Sequence, residues 1–150
     1  MNKKSIITIL LAIVAITGWA QVKCHVVGTV ADGVERQTFY IAQQGTADDD
    51  DAKWKEVKVK DGRFALDIEA ETTETYEIIE DHHLGGHFAL FLVENGTVHI
   101  AITPDDEGAC LDVVSGGPEQ EKWLAMQRKS KEIFGQEAEM IESKLVRDIN

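Results

Sequence analysis

From Val22 to about Ser115 the chain alternates apolar and polar positions with a period of two. Phe64, Leu66 and Ile68 alternate with Ala65, Asp67 and Glu69. Val98, Ile100 and Ile102 alternate with Thr97, His99 and Ala101, and Val57 and Val59 with Lys58 and Lys60. Each run marks a strand with one face on a core and the other in water. Asp32-Gly33, Asp61-Gly62 and Asn95-Gly96 punctuate the runs. The last two lie between alternating segments, where a type I′ hairpin turn needs positive φ at both central residues. The pattern predicts eight strands, at about 22–31, 36–43, 54–60, 63–69, 74–81, 87–94, 97–103 and 109–115. Phe88 to Val93 is continuously apolar and reads as the most buried of them. The fold class is therefore mainly β, an antiparallel β-sandwich or partly open barrel of about eight strands.

At Gly117-Pro118 the period changes. Proline suits the first turn of a helix because its missing N–H would find no partner there. Glu119 and Glu121 suit the positive helix end. Trp123, Met126, Ile133, Phe134, Ala138, Ile141 and Leu145 then recur mostly at spacings of three and four, a C-terminal amphipathic helix. Gly135 costs about 1 kcal/mol relative to alanine inside such a run, so a kink or break is expected there. The apolar stripe needs a cover, and Trp123, Phe134 and Ile141 are its candidate contacts with a protein partner or a second copy of the chain.

The first residues follow another logic. Lys3 and Lys4 precede an apolar run from Ile6 to Ile16, and Gly18 and Ala20 occupy the small-residue positions before a cut ahead of Gln21. That is the layout of a secretory signal peptide. The run falls short of the roughly 20 apolar residues of a membrane span. No small residue stands next to Cys24, which argues against lipidation, so no stable membrane anchor is expected after cleavage. The division is then 1–20 signal peptide, 21–117 β-domain and 118–150 helical tail.

Charge narrows the partners. With 15 basic and 27 acidic residues the chain carries a net charge of −12, and loss of Lys3 and Lys4 makes it more acidic. Such a surface repels nucleic acid, and no nucleic-acid partner is expected. Of the two cysteines, Cys24 lies in the first predicted strand and Cys110 in the last. In an oxidising compartment they could pair, closing a loop of about 85 residues with a stabilisation of about 4–5 kcal/mol before strain. The alternative is two reduced thiols acting as small hydrophobes.

Candidate chemistry is sparse. His82, His83 and His87 sit beside Glu80 and Asp81 and offer zinc or copper ligands, although in no standard spacing; exposed loop histidines are the simpler reading. His99, on the outer face of its strand, adds little to them. Asp48 to Asp51 lack the ligand spacing of a calcium loop and read as a solvated acidic turn, as do Asp105, Asp106 and Glu107. Cys24 and His25 are neighbours on a strand and point to opposite faces. Trp54 and Trp123 are core residues or partner anchors. There is no nucleophile elbow, HExxH or phosphate loop, so no catalytic residue is assigned and no cofactor is implied.

Several segments together resemble a known family. They are Val26-Val27-Gly28-Thr29-Val30, Val59-Lys60-Asp61-Gly62-Arg63-Phe64, Leu92-Val93-Glu94-Asn95-Gly96-Thr97-Val98 and Val114-Ser115-Gly116-Gly117-Pro118-Glu119-Gln120. With the exported start, they resemble the N-terminal domain of unknown function 4369. That domain precedes a thioredoxin-like domain in thiol–disulfide oxidoreductases of the Gram-negative envelope. The resemblance implies a periplasmic or otherwise exported accessory domain. The redox-active C-x-x-C of the thioredoxin-like part has no counterpart among these residues. The expected function is a non-catalytic accessory or binding module. The alternative is participation in envelope thiol–disulfide exchange, through Cys24 and Cys110 or through a separate thioredoxin-like partner.

Overall fold

A computed structural model describes residues 21–45, 53–84, 86–106 and 108–149, with side chains through residue 136. The proposed signal peptide, the run Asp48 to Asp51, Glu107 and the side chain of Ile141 lie outside the described residues. The strands are β1 (Val22–Val30), β2 (Thr38–Gln43), β3 (Lys55–Lys58), β4 (Arg63–Ala70), β5 (Glu74–Ile79), β6 (Phe88–Val93), β7 (Gly96–Asp105) and β8 (Gly108–Ser115). They form two four-stranded sheets, in the orders β4-β1-β7-β8 and β3-β2-β5-β6. Alternation places Val26, Phe64, Ile68, Val98, Ile100 and Ile102 on the inner face of the first sheet. Phe39, Ile41, Ile78, Phe91 and Val93 face them from the second. The result is a sandwich, the architecture in which two half-apolar sheets hide their apolar faces from water.

Three details depart from the sequence reading. Strand β1 pairs with β7 in parallel, Cys24 opposite Gly96 through Val30 opposite Ile102, so the centre of the first sheet is not antiparallel. Those two strands are far apart in sequence, and periodicity carries no information on their relative direction. The hairpin turns also differ. Asp61 and Gly62 both have positive φ, 53° and 69°, as a type I′ turn requires. At Asn95-Gly96 only the glycine does, because Gly96 already opens β7 and Asn95 Oδ1 accepts a hydrogen bond from Lys23 N at 2.9 Å. Finally, the helix α1 (Pro118–Ile149) runs through Gly135 without a break. A Cβ at that position would meet nothing within 4 Å, so the glycine's cost is one of local entropy and is absorbed by a helix of 32 residues.

Packing is tightest where Phe64 of β4 crosses Gly28 of β1. A Cβ on Gly28 would lie 1.9 Å from Phe64 Cε1, closer than any side chain tolerates. Gly28→Ala should therefore push Phe64 off its place against Phe39, whose ring centroid is 6.4 Å away. The expected loss is about 1–3 kcal/mol of folding stability, read by urea denaturation. An unchanged midpoint would show that the Phe64 ring can move freely.

Candidate functional site

Strands β6 and β8 are the outer strands of the two sheets on one side of the sandwich, and α1 lies along them. The attachment begins at the β6–β7 turn. Glu94, only 7% exposed, accepts hydrogen bonds from the backbone N–H of Glu119 at 3.2 Å and of Gln120 at 2.8 Å. These are N–H groups of the first helical turn, which have no partner inside the helix, so a carboxylate from another element caps it and meets its positive end. Gln120 is fully buried, and its Oε1 accepts from Leu92 N on the free edge of β6 at 2.6 Å. Its Nε2 has no hydrogen-bond partner. Glu121 closes the turn by accepting from Gly116 N at 3.0 Å.

From this clamp the helix passes along β8 and β6, leaving an open groove of about 630 Å³. Phe88, Leu90 and Val113 line the sheet side, and Trp123, Leu124 and Phe134 the helix side. The outward residues of β6 explain its unbroken apolar run. Ala89, Phe91 and Val93 fill the core, whereas Phe88 is 57% exposed and Leu90 and Leu92 are half-buried. β6 is thus an outer strand with two apolar faces, not the most buried strand. Phe134, Met126 and Ile133 are exposed on the helix. Of the three predicted contact residues, Trp123 and Phe134 line this groove.

The other predicted sites are not assembled. Both cysteines are free. Cys24 stands opposite Gly96 and Cys110 opposite Thr103, seven positions further along β7. That is roughly 23 Å of strand, against a limit of about 7 Å between the α-carbons of a disulfide. Their environments differ too, Cys24 in the core and Cys110 on the outer side of β8. Burial pushes the Cys24 thiol up. Desolvation and then the hydrogen bond to Asp112 raise that of Cys110.

The histidines also part company. The His82 ring lies 4.4 Å from Tyr40, 5.3 Å from Trp54 and 4.0 Å from His83, centroid to centroid, as a member of an aromatic cluster. His87 instead lies between Glu80 and Asp105, at 3.8 and 3.7 Å. Among the described residues, no group of three His, Cys, Asp or Glu is placed to hold a metal ion. His99 is exposed, and His25, exposed beside buried Cys24, pairs with Asp67 at 2.6 Å. Asp81 accepts from the backbone N–H of His83 and Leu84, which holds its carboxyl below the ordinary value.

The family model described as Domain of unknown function (DUF4369) matches residues 24–123. The chain belongs to this family. The DUF4369 match begins at Cys24 within β1, takes in the other seven strands and ends at Trp123, so it contains both clamp residues, Glu94 and Gln120. The search of curated proteins finds no match. Among solved structures, the chain is similar to the CBM25-1 of a beta/alpha-amylase from Paenibacillus polymyxa, at 14% identity and a TM-score of 0.38. The alignment covers 67% of this chain and 98% of that one; at this level the likeness carries no argument.

Sequence reasoning missed Arg36, Glu94 and Gln120, and noted Glu80 only as a carboxylate beside the loop histidines. A signal for Glu80 was present, since alternation through Tyr76 and Ile78 puts position 80 on the inner face. Glu94 carried none, because its value lies in meeting a helix that starts 24 residues later.

Two outcomes follow. Glu94→Ala should cost about 1–2 kcal/mol and speed amide exchange at Glu119 and Gln120, whereas an unaltered exchange rate there would rule out the cap. Iodoacetamide at neutral pH should modify Cys110 alone in the folded protein, and Cys24 only after denaturation. A native species bridged between the two, seen by peptide mass, would contradict this placement.

Proposed function

We propose that the chain is an exported, non-catalytic binding module that docks a protein partner in the groove between β6 and α1, and that the partner is a second copy of the chain. The observation that carries this is the outward face of β6. Phe88, Leu90 and Leu92 are apolar on a face that the sandwich core does not use. Sparse single apolar residues on a surface need no explanation, but a groove between two elements in which Phe88, Leu90, Val113, Trp123, Leu124 and Phe134 come together does.

The helix favours a second copy. At about 1.5 Å per residue its 32 residues extend about 48 Å, whereas β8 has eight residues and spans about 26 Å. The helix therefore overshoots the sheet edge that it covers. Its exposed Met126, Ile133 and Phe134 supply the ridge that an identical groove on a second molecule would accept. Charge agrees with this. Residues 122–131 hold Lys122, Arg128, Lys129 and Lys131 with no acidic residue, a basic strip on a chain of net −12. The occupant is a helical ridge rather than an added strand, because Gln120 already blocks the edge of β6 at Leu92 N.

Export rests on the Lys3–Ala20 signal pattern, and the accessory role on family membership. Direct exchange between Cys24 and Cys110 lacks a geometry in this fold. Partnership with a separate thioredoxin-like protein remains the redox form of the same binding function.

Sedimentation velocity over a hundredfold range of concentration tests the proposal. A monomer–dimer equilibrium is expected, weakened at least tenfold by Phe134→Glu and by Met126→Glu, both exposed positions with little part in the fold. A chain that stays monomeric throughout, or a dimer indifferent to both substitutions, would overturn it.

A further inference from the structure

The end of the sandwich remote from the helix N-terminus holds a second, polar cleft of about 610 Å³, lined by Val34, Arg36, Glu80, Pro104, Asp105 and Gly108 among others. Arg36 precedes β2, Glu80 follows β5, Asp105 ends β7 and Gly108 opens β8, so both sheets contribute. Its central group is the Glu80 carboxylate. Glu80 is 8% exposed, a burial that an ionisable side chain tolerates only with partners. One oxygen, Oε2, accepts from His87 N at 3.3 Å. The fold makes room for this carboxylate. Gly86 and Gly108 have φ of 120° and 147°, and Cβ atoms there would lie 2.9 Å from Oε2 and 3.2 Å from Oε1.

Two further carboxylates, Asp105 and Glu35, line the same cleft, and the imidazole of His87 spans Glu80 and Asp105 without itself lining the space. The opposite charge is supplied by Arg36. Its Nη1 donates to Glu80 O at 2.8 Å and to Asp81 Oδ2 at 3.4 Å, which fixes a guanidinium that carries five N–H donors in all. Three acids, Glu80, Asp105 and the exposed Glu35, and a pre-positioned guanidinium around one cleft are complementary to a molecule that carries both an ammonium and a carboxylate.

We propose that this cleft binds a small zwitterion, a free α-amino acid or an unblocked peptide of two or three residues, with its ammonium on Glu80 and Asp105 and its carboxylate on Arg36. The site is independent of the β6–α1 groove and does not require dimer formation.

The test is an amide chemical-shift titration of the full chain with L-alanine, dialanine, N-acetyl-dialanine and dialanine amide. Alanine or dialanine should give saturable shifts at Gly33, Arg36 and Gly108, and the one that binds more tightly identifies the free amino acid or the peptide as the source. Blocking either end of dialanine should weaken binding about tenfold, the loss of one charge-assisted contact. In Asp105→Asn, at a position on the cleft's exposed rim, the penalty for acetylation should shrink while that for amidation persists. The proposal is overturned if neither zwitterion gives saturable shifts by about 10 mM, or if the acetylated and amidated forms bind as well as dialanine. The wild-type titrations decide this even if the variant fails to fold.

Discussion

The Glu94 carboxylate ties the two parts of the molecule together. It projects from the β6–β7 turn, is almost fully buried, and takes the N–H groups of Glu119 and Gln120. A helix start buried without such a partner would leave its donors unpaired at a cost of about 1–3 kcal/mol each. Here the cap fixes where the helix begins and, with Gln120 bound to Leu92, the edge it follows. The groove follows from that direction: a helix leaving the sandwich elsewhere would uncover the outward face of β6 entirely.

Strand β6 shows how one sequence pattern can serve two surfaces. An inner strand covered on both faces and an outer strand with a second docking face both read as continuous apolar runs. The distinction lies in the strand order β3-β2-β5-β6, which puts β6 at the margin, and in the 57% exposure of Phe88. Hydrophobicity at Leu90 and Leu92 is therefore information about the helix and the groove, while Phe91 and Val93 report on the core.

Local chemistry was legible in the sequence and long-range geometry was not. Period-two alternation marked strands with one buried face, and an unbroken apolar run marked β6, so the eight strands were legible from local pattern. The Asp61-Gly62 turn was legible for the same kind of reason, since its backbone angles demand those residue types. The parallel register of β1 with β7 leaves no mark on either strand. Nor did spacing reveal that Cys24 and Cys110 stand at separate places along the sheet, or that His82 joins Tyr40 and Trp54 while His87 turns to Glu80 and Asp105. Trp123 and Phe134 were identifiable as contacts because helical periodicity puts them on one stripe; the strand that faces them was not.

Isotope-filtered nuclear Overhauser spectroscopy on a mixture of labelled and unlabelled chains examines the groove directly. Cross-peaks between the Phe134 ring of one molecule and the Phe88 or Leu90 side chains of another, growing with concentration, are the predicted result. A concentrated sample whose Phe134 contacts are all within one chain would contradict a groove built to receive a second copy.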